Sequence, residues 1–114
     1  MIVEERIYTL HVGKVPVFMQ IYEHEALPIL RRHLGTQYGF FINEVGTQNM
    51  IVHLWAFDSY DDREKRRDAL TADPGWAAVR LKNHPLILHQ ENRIMRPPAY
   101  FEPLLKAMLK AGKP

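Results

Sequence analysis

The sequence predicts an α+β fold of the ferredoxin-like kind, βαββαβ with a four-stranded antiparallel sheet. Three observations predict it. The 114 residues suit one domain, and 46% hydrophobic with 25% charged residues is enough to build a core. Segments rich in β-branched and aromatic residues alternate with segments of helical spacing in the order strand, helix, strand, strand, helix, strand. The second and third strands are separated only by Gly46-Thr47-Gln48-Asn49, a loop short enough to force an antiparallel hairpin.

Residues 3–12 favour extended structure through Ile7, Tyr8, Thr9, Leu10 and Val12, and Gly13 ends the strand. Pro16 suits the first turn of a helix. Phe18, Ile21, Tyr22, Ala26, Ile29, Leu30 and His33 then recur at helical spacing, with a kink expected near Leu27 because Pro28 cannot donate a backbone hydrogen bond. Gly35 is the expected stop. Residues 40–45 and 50–57 read as the second and third strands. Ser59 is placed to cap a helix running to about Ala72, with Asp62 in its first turn, and Asp73-Pro74 starts another that carries Trp76, Val79 and Leu81. Residues 86–96 form the fourth strand, and Pro97-Pro98 breaks it. Residues 1–98 are thus expected to form the domain. Residues 99–114 are expected to form an amphipathic arm with Leu104, Leu105, Met108 and Leu109 on one side.

Two helices cover only one face of such a sheet, yet the third strand is apolar on both. Met50, Val52, Leu54 and Ala56 alternate with Ile51, His53, Trp55 and Phe57, and the adjacent Phe40 and Phe41 must point to opposite sides. At about 25 cal/mol per Å² of apolar area, a wet second face would be costly. A homodimer whose sheets meet face to face, in a barrel-like core about a two-fold axis, is therefore expected.

Composition excludes several classes of function. Without cysteine there are no disulfides, thiolate metal sites or cysteine nucleophiles, which fits a cytoplasmic location. A net charge of +2, with the basic run Arg63-Glu64-Lys65-Arg66-Arg67 bracketed by aspartates, argues against nucleic acid as a partner. No apolar run reaches the roughly 18 residues of a membrane span, and the amino end lacks the pattern of a secretory signal.

A series of short motifs is more specific. Glu5-Arg6 and Tyr8 precede Gly13; Gly39-Phe40-Phe41 and Glu44-Val45-Gly46 precede Val52-His53-Leu54-Trp55-Ala56-Phe57. Arg63 and Arg67, Pro74-Gly75-Trp76, Pro85-Leu86 and Asn92-Arg93-Ile94-Met95-Arg96-Pro97 follow. Together they resemble the NIPSNAP family from Val3 to about Pro97, departing at Thr71, where a tryptophan is expected, and at Asn92, where serine is common. The resemblance implies a dimeric α/β barrel and a short bacterial member without a targeting extension. It implies no reaction.

Arg63 and Arg67 share a helix face, with Tyr60 and Leu70 on the same stripe. They can grip a carboxylate or phosphate, or pair with strand carboxylates such as Glu44 or Glu91. His53 lies beside Trp55 and Phe57, as a general base in a dry pocket or as a satisfied core residue. Glu4, Glu5, Arg6, Glu91 and Arg93 read as outer-strand residues joined by cross-strand Glu–Arg pairs. No histidine pair has zinc spacing, so neither a metal nor a cofactor is expected. The reading that ranks first is a homodimeric binder of an apolar or aromatic, possibly acidic, small molecule, its pocket between sheet and helices. Tyr22, Trp55, Phe57 and Trp76 would form the walls, with Arg63 and Arg67 at the polar end. The alternatives are a protein-interaction module and an enzyme like the cofactor-independent monooxygenases, with His53 as the catalytic candidate.

Overall fold

A computed structural model describes residues 1–112; the last two residues of the expected arm lie outside the described residues. The elements run β1 (Ile2–Leu10), α1 (Val15–Ile21), a π-helical segment (Tyr22–Ala26), α2 (Leu27–His33), β2 (Thr36–Ile42), β3 (Met50–Phe57), α3 (Tyr60–Thr71), α4 (Pro74–Asn83), a 3₁₀ turn (His84–Leu86), β4 (Ile87–Met95) and α5 (Glu102–Ala111). All strand pairs are antiparallel in the order β2-β3-β1-β4, which is the ferredoxin-like arrangement.

Strand alternation sorts the sheet into two faces. The register sets Ile2 opposite Phe57, Glu4 opposite Trp55, Arg6 opposite His53 and Tyr8 opposite Ile51, so these residues share one face. That face packs against α1–α4 around Leu10, Phe18, Tyr22, Leu30, Trp55, Leu70 and Val79. On the other face lie Val3, Glu5, Ile7 and Thr9 of β1, Met50, Val52, Leu54 and Ala56 of β3, and Phe41 of β2. This second face is not uniformly apolar. Glu5 and Arg93 pair across it at 2.9 Å, and His89 and Glu91 extend a polar stripe along β4. The exposed apolar surface on this face comes from β2 and β3, with Met95 at the end of β4, while Val3 and Ile7 of β1 are already buried.

The kink predicted at Pro28 takes a specific form. The helix widens over Tyr22–Ala26, and the Leu27 N–H donates to the Tyr22 carbonyl, five residues back. A proline ring clashes with the carbonyl four residues earlier, and one wide turn removes that conflict while the helix goes on.

The second strand lies earlier than expected, at Thr36–Ile42 rather than 40–45, and the loop that follows is correspondingly longer. Gly35 adopts φ +85°, so the chain leaves the helix and enters the sheet at once. A bulge between Gln37 and Gly39 restores the alternation, and a Cβ on Gly39 would lie 2.7 Å from Leu54 Cδ1. Asn43 then closes the hairpin through its N–H to the Met50 carbonyl at 2.9 Å, leaving Val45 in solvent. Ser59 and Asp73 cap α3 and α4 as expected, accepting from the Asp62 N–H at 3.0 Å and the Gly75 N–H at 2.8 Å. Helix α5 lies near the end of the sheet where β1 and β2 begin. The amino terminus meets Glu102 at 3.2 Å, and Leu105 and Met108 border Thr36 and Tyr38.

Candidate functional site

The helix-facing side of β1 carries two charges, Glu4 and Arg6, between Ile2 and Leu10. A charge survives there only if it is paired. Glu4 is 1% exposed and is paired four times. Arg63 reaches down from α3 and grips it bidentately, Nε to Oε1 and Nη2 to Oε2, both at 3.0 Å. Arg6 Nη1 donates to the same carboxylate at 3.0 Å and Asn92 Nδ2 at 2.7 Å. Burial alone would raise the Glu4 carboxyl. The hydrogen bonds from Arg63 and Asn92 and the two guanidinium charges outweigh it and hold the group at about 2. Arg6 continues the chain, its Nε donating to the Tyr8 hydroxyl at 3.1 Å.

Beside this network lies a cavity of about 220 Å³ between sheet and helices. Its walls are aromatic: Tyr8, Phe18, Tyr22, His53, Trp55 and Trp76, with Leu30, Leu34, Leu70 and Val79. Exposed Arg80, His84 and Gln90 lie on the side towards β4, where the helices leave the sheet uncovered. Among the groups on its lining without a partner among the described residues, Arg67, His53 and Asn83 stand out. Arg67, half-buried one turn beyond Arg63, has no hydrogen bond or salt bridge among the described residues. Burial and the neighbouring Arg6 and Arg63 push its pKa down, though a guanidinium stays charged at any ordinary pH. His53, 3% exposed, accepts at Nδ1 from the Trp55 indole N–H at 2.8 Å, while its Nε2 is buried without a partner. Asn83, 7% exposed at the end of α4, has an unpartnered Oδ1.

The indole nitrogen can only donate, so a neutral His53 carries its proton on Nε2. Burial, reinforced by the Arg6 charge, holds the imidazole pKa at about 3, and the ring is neutral in ordinary solution. Tyr22 is held by Gln37, whose Nε2 donates to its hydroxyl at 2.7 Å, and burial raises its pKa well above the usual phenol range. Among the described residues, no three His, Asp or Glu side chains converge as a metal site would require.

The structure brings together Tyr22, His53, Trp55, Arg67 and Trp76 around one cavity. Phe57 shares the strand face but sits in the core, off the cavity wall. Arg63 is off the wall too, engaged by Glu4 rather than by Glu44 or Glu91. Glu91 faces the opposite side of the sheet, opposite Ile7, and Glu44 lies in the loop after β2. Tyr60, expected on the inward stripe, opens the helix in solvent at 57% exposure.

Comparison with known proteins now bears on this arrangement. The NIPSNAP family model matches residues 3–101. The chain belongs to the NIPSNAP family. A crystal structure of a NIPSNAP family protein from Agrobacterium tumefaciens superimposes with TM-score 0.83 at 44% identity, covering 85% of this chain and 87% of that one. A NIPSNAP domain protein from Burkholderia xenovorans gives 0.84 at 38% identity, covering 88% and 97%. Among curated relatives, NipSnap homolog 2 of Danio rerio is 39% identical over 67 residues, which is 59% of this chain and 23% of that protein. The chain spans less than a third of the length of the curated relatives it matches. An antibiotic biosynthesis monooxygenase gives TM-score 0.65 at 9% identity, covering 85% of this chain and 98% of that one, a likeness of fold alone.

Within this NIPSNAP domain, sequence reasoning missed four residues: Glu4, Arg6, Tyr8 and Asn83. The first three were legible in principle. Strand alternation puts Glu4, Arg6 and Tyr8 on the face of Ile2 and Leu10, so the charges had to be inside. Glu4 and Arg6 are expected on an outer strand, whereas β1 is central. Asn83 carries no such signal; only the fold puts it on the cavity.

Proposed function

We propose that this NIPSNAP domain is a homodimeric small-molecule binding protein whose cavity takes a small aromatic acid. One observation carries the reading: an aromatic-walled cavity with an unpaired arginine on its lining. A cavity of about 150 Å³ is enough for benzene, so about 220 Å³ suits one aromatic ring with a substituent. It is also several times the roughly 30 Å³ share of one water, which favours binding over a purely structural or protein-interaction role. Arg67 supplies the charge that a carboxylate would meet in a partly desolvated setting.

His53 serves this reading as a hydrogen-bond donor. As a general base it would have to give up the Trp55 bond and take a proton on a ring whose cation is strongly disfavoured. This arrangement weighs against His53 as the base that the monooxygenase-like alternative would need.

Benzoate, phenylacetate and their substituted analogues are the test probes, read by thermal shift and calorimetry. At least one is expected to raise the melting temperature, and Arg67→Met is expected to weaken its binding at least tenfold. No shift with any of these acids would end the reading.

A further inference from the structure

The buried side-chain polar atoms without a partner among the described residues are His53 Nε2 and Asn83 Oδ1, and both residues line the same cavity. Folded proteins pair nearly all such atoms, because an orphan loses its hydration for nothing. Here one is a donor and the other an acceptor. They come from different walls, His53 from the middle of β3 on the sheet and Asn83 from the last turn of α4. The imidazole is fixed from behind: Trp55 holds it by its other nitrogen, and Tyr8 and Phe40 flank the ring at 5.1 and 5.5 Å between centroids. Asn83 is 7% exposed at the last residue of α4. Buried and of opposite polarity, the pair is complementary to a group that both accepts and donates.

We infer that the cavity reads a hydroxyl on its ligand, accepting from His53 Nε2–H and donating to Asn83 Oδ1, so that its ligands are hydroxylated aromatic acids. This rests on the reading that the cavity binds an aromatic acid, with Arg67 meeting the carboxylate. A phenol or benzylic alcohol supplies both functions from one atom. A methyl group of nearly the same size supplies neither and leaves both protein atoms unpaired. Sites built to hydrogen-bond a hydroxyl reject the analogue lacking it far more strongly than apolar pockets separate ligands by size.

The test is calorimetric titration of the full chain with matched pairs: 3-hydroxybenzoate against 3-methylbenzoate, and 4-hydroxybenzoate against 4-methylbenzoate. An apolar pocket end would favour the methyl compound by about fourfold, from the worth of one buried methylene-sized group. The inference expects the opposite sign, with at least one hydroxy acid bound ten times or more tighter than its methyl partner. In Asn83→Leu that preference should vanish, with the methyl acid bound as well as before or better. His53→Phe should lose the preference in the same way. The wild-type comparison needs no variant to fold and decides by itself. Should the methyl acids bind as well as or better than the hydroxy acids, solvent serves the two atoms and the inference falls, while the aromatic-acid reading stands. A preference that survives Asn83→Leu overturns it equally. If none of the four binds while benzoate or phenylacetate does, the inference falls alone; if no aromatic acid binds, the underlying reading fails, and the inference with it.

Discussion

At the scale of single residues, this domain depresses the pKa of two buried groups by opposite means. Glu4 stays ionised because four donors converge on it; His53 stays neutral because burial and the Arg6 charge outweigh the nearby Glu4. Both pKa values are depressed, so both contribute stability that is present at neutral pH and lost as pH falls. His53 acts first. An unfolded chain takes up its proton near pH 6.5, the folded one only near about 3, and stability should fall by about 1.4 kcal/mol per pH unit between those limits. Glu4 adds its share from about 4.5 down to about 2. Urea unfolding between pH 7 and 5 samples the histidines above the range in which Glu4 contributes. In His53→Gln, whose amide oxygen can still accept from Trp55, most of that slope should disappear. A smaller slope should remain, because burial and Arg80 also lower His84. An unchanged slope in the variant would show that the imidazole is not the titrating group. The same residues show what sequence can and cannot disclose. Arg67 and Trp55 were legible from helical spacing and strand alternation. That Arg63 would be consumed by Glu4 was not, since the pairing joins positions 59 residues apart and depends on β1 being central.

Among the elements, those with strong local signals stood where the sequence put them. Residues 50–57 alternate without interruption, Ser59 and Asp73 cap α3 and α4, and the arm's apolar stripe forms α5. The one displaced element, β2, failed for an identifiable reason. Its first residues, Thr36-Gln37-Tyr38-Gly39, include a bulge and a glycine that propensity counts against a strand, yet pairing with β3 decides the matter. Two substitutions separate cap chemistry from backbone chemistry. Ser59→Ala removes the acceptor for the Asp62 N–H and should cost about 1 kcal/mol. Gly35→Ala forces a Cβ into the left-handed region at φ +85° and within 3.2 Å of Arg66 Nη1, and should cost about 1–2 kcal/mol. Denaturant midpoints of both variants check this, and a neutral Gly35→Ala would mean that the turn into β2 relaxes freely.

For the whole molecule, we propose that the open face of the sheet drives assembly. Phe41 is 59% exposed there, beside the half-buried Met50, Val52, Leu54 and Ala56, and helices α1–α4 all lie on the other side. Strands about 4.8 Å apart and about 3.3 Å per residue give a four-stranded face of roughly 500 Å². Two such faces would bury at most about 1,000 Å² together, since Val3 and Ile7 are already buried within one chain, and that is near the lower limit for a stable interface. The sequence suggested a face apolar throughout, but alternation cannot say which strand is an edge, and β4 carries the polar stripe of Glu91, Arg93 and His89. That stripe leaves the hydrophobic drive to β2 and β3, so a single charge on the patch should be decisive. We predict that the wild-type chain sediments as a dimer at micromolar concentration. Phe41→Glu, distant from the helix-covered core and from the cavity lining, should sediment as a folded monomer with its aromatic-acid binding retained. A wild-type monomer under those conditions would refute the dimer. A Phe41→Glu monomer that no longer binds would instead tie the cavity to assembly, placing the second subunit among the determinants of the site.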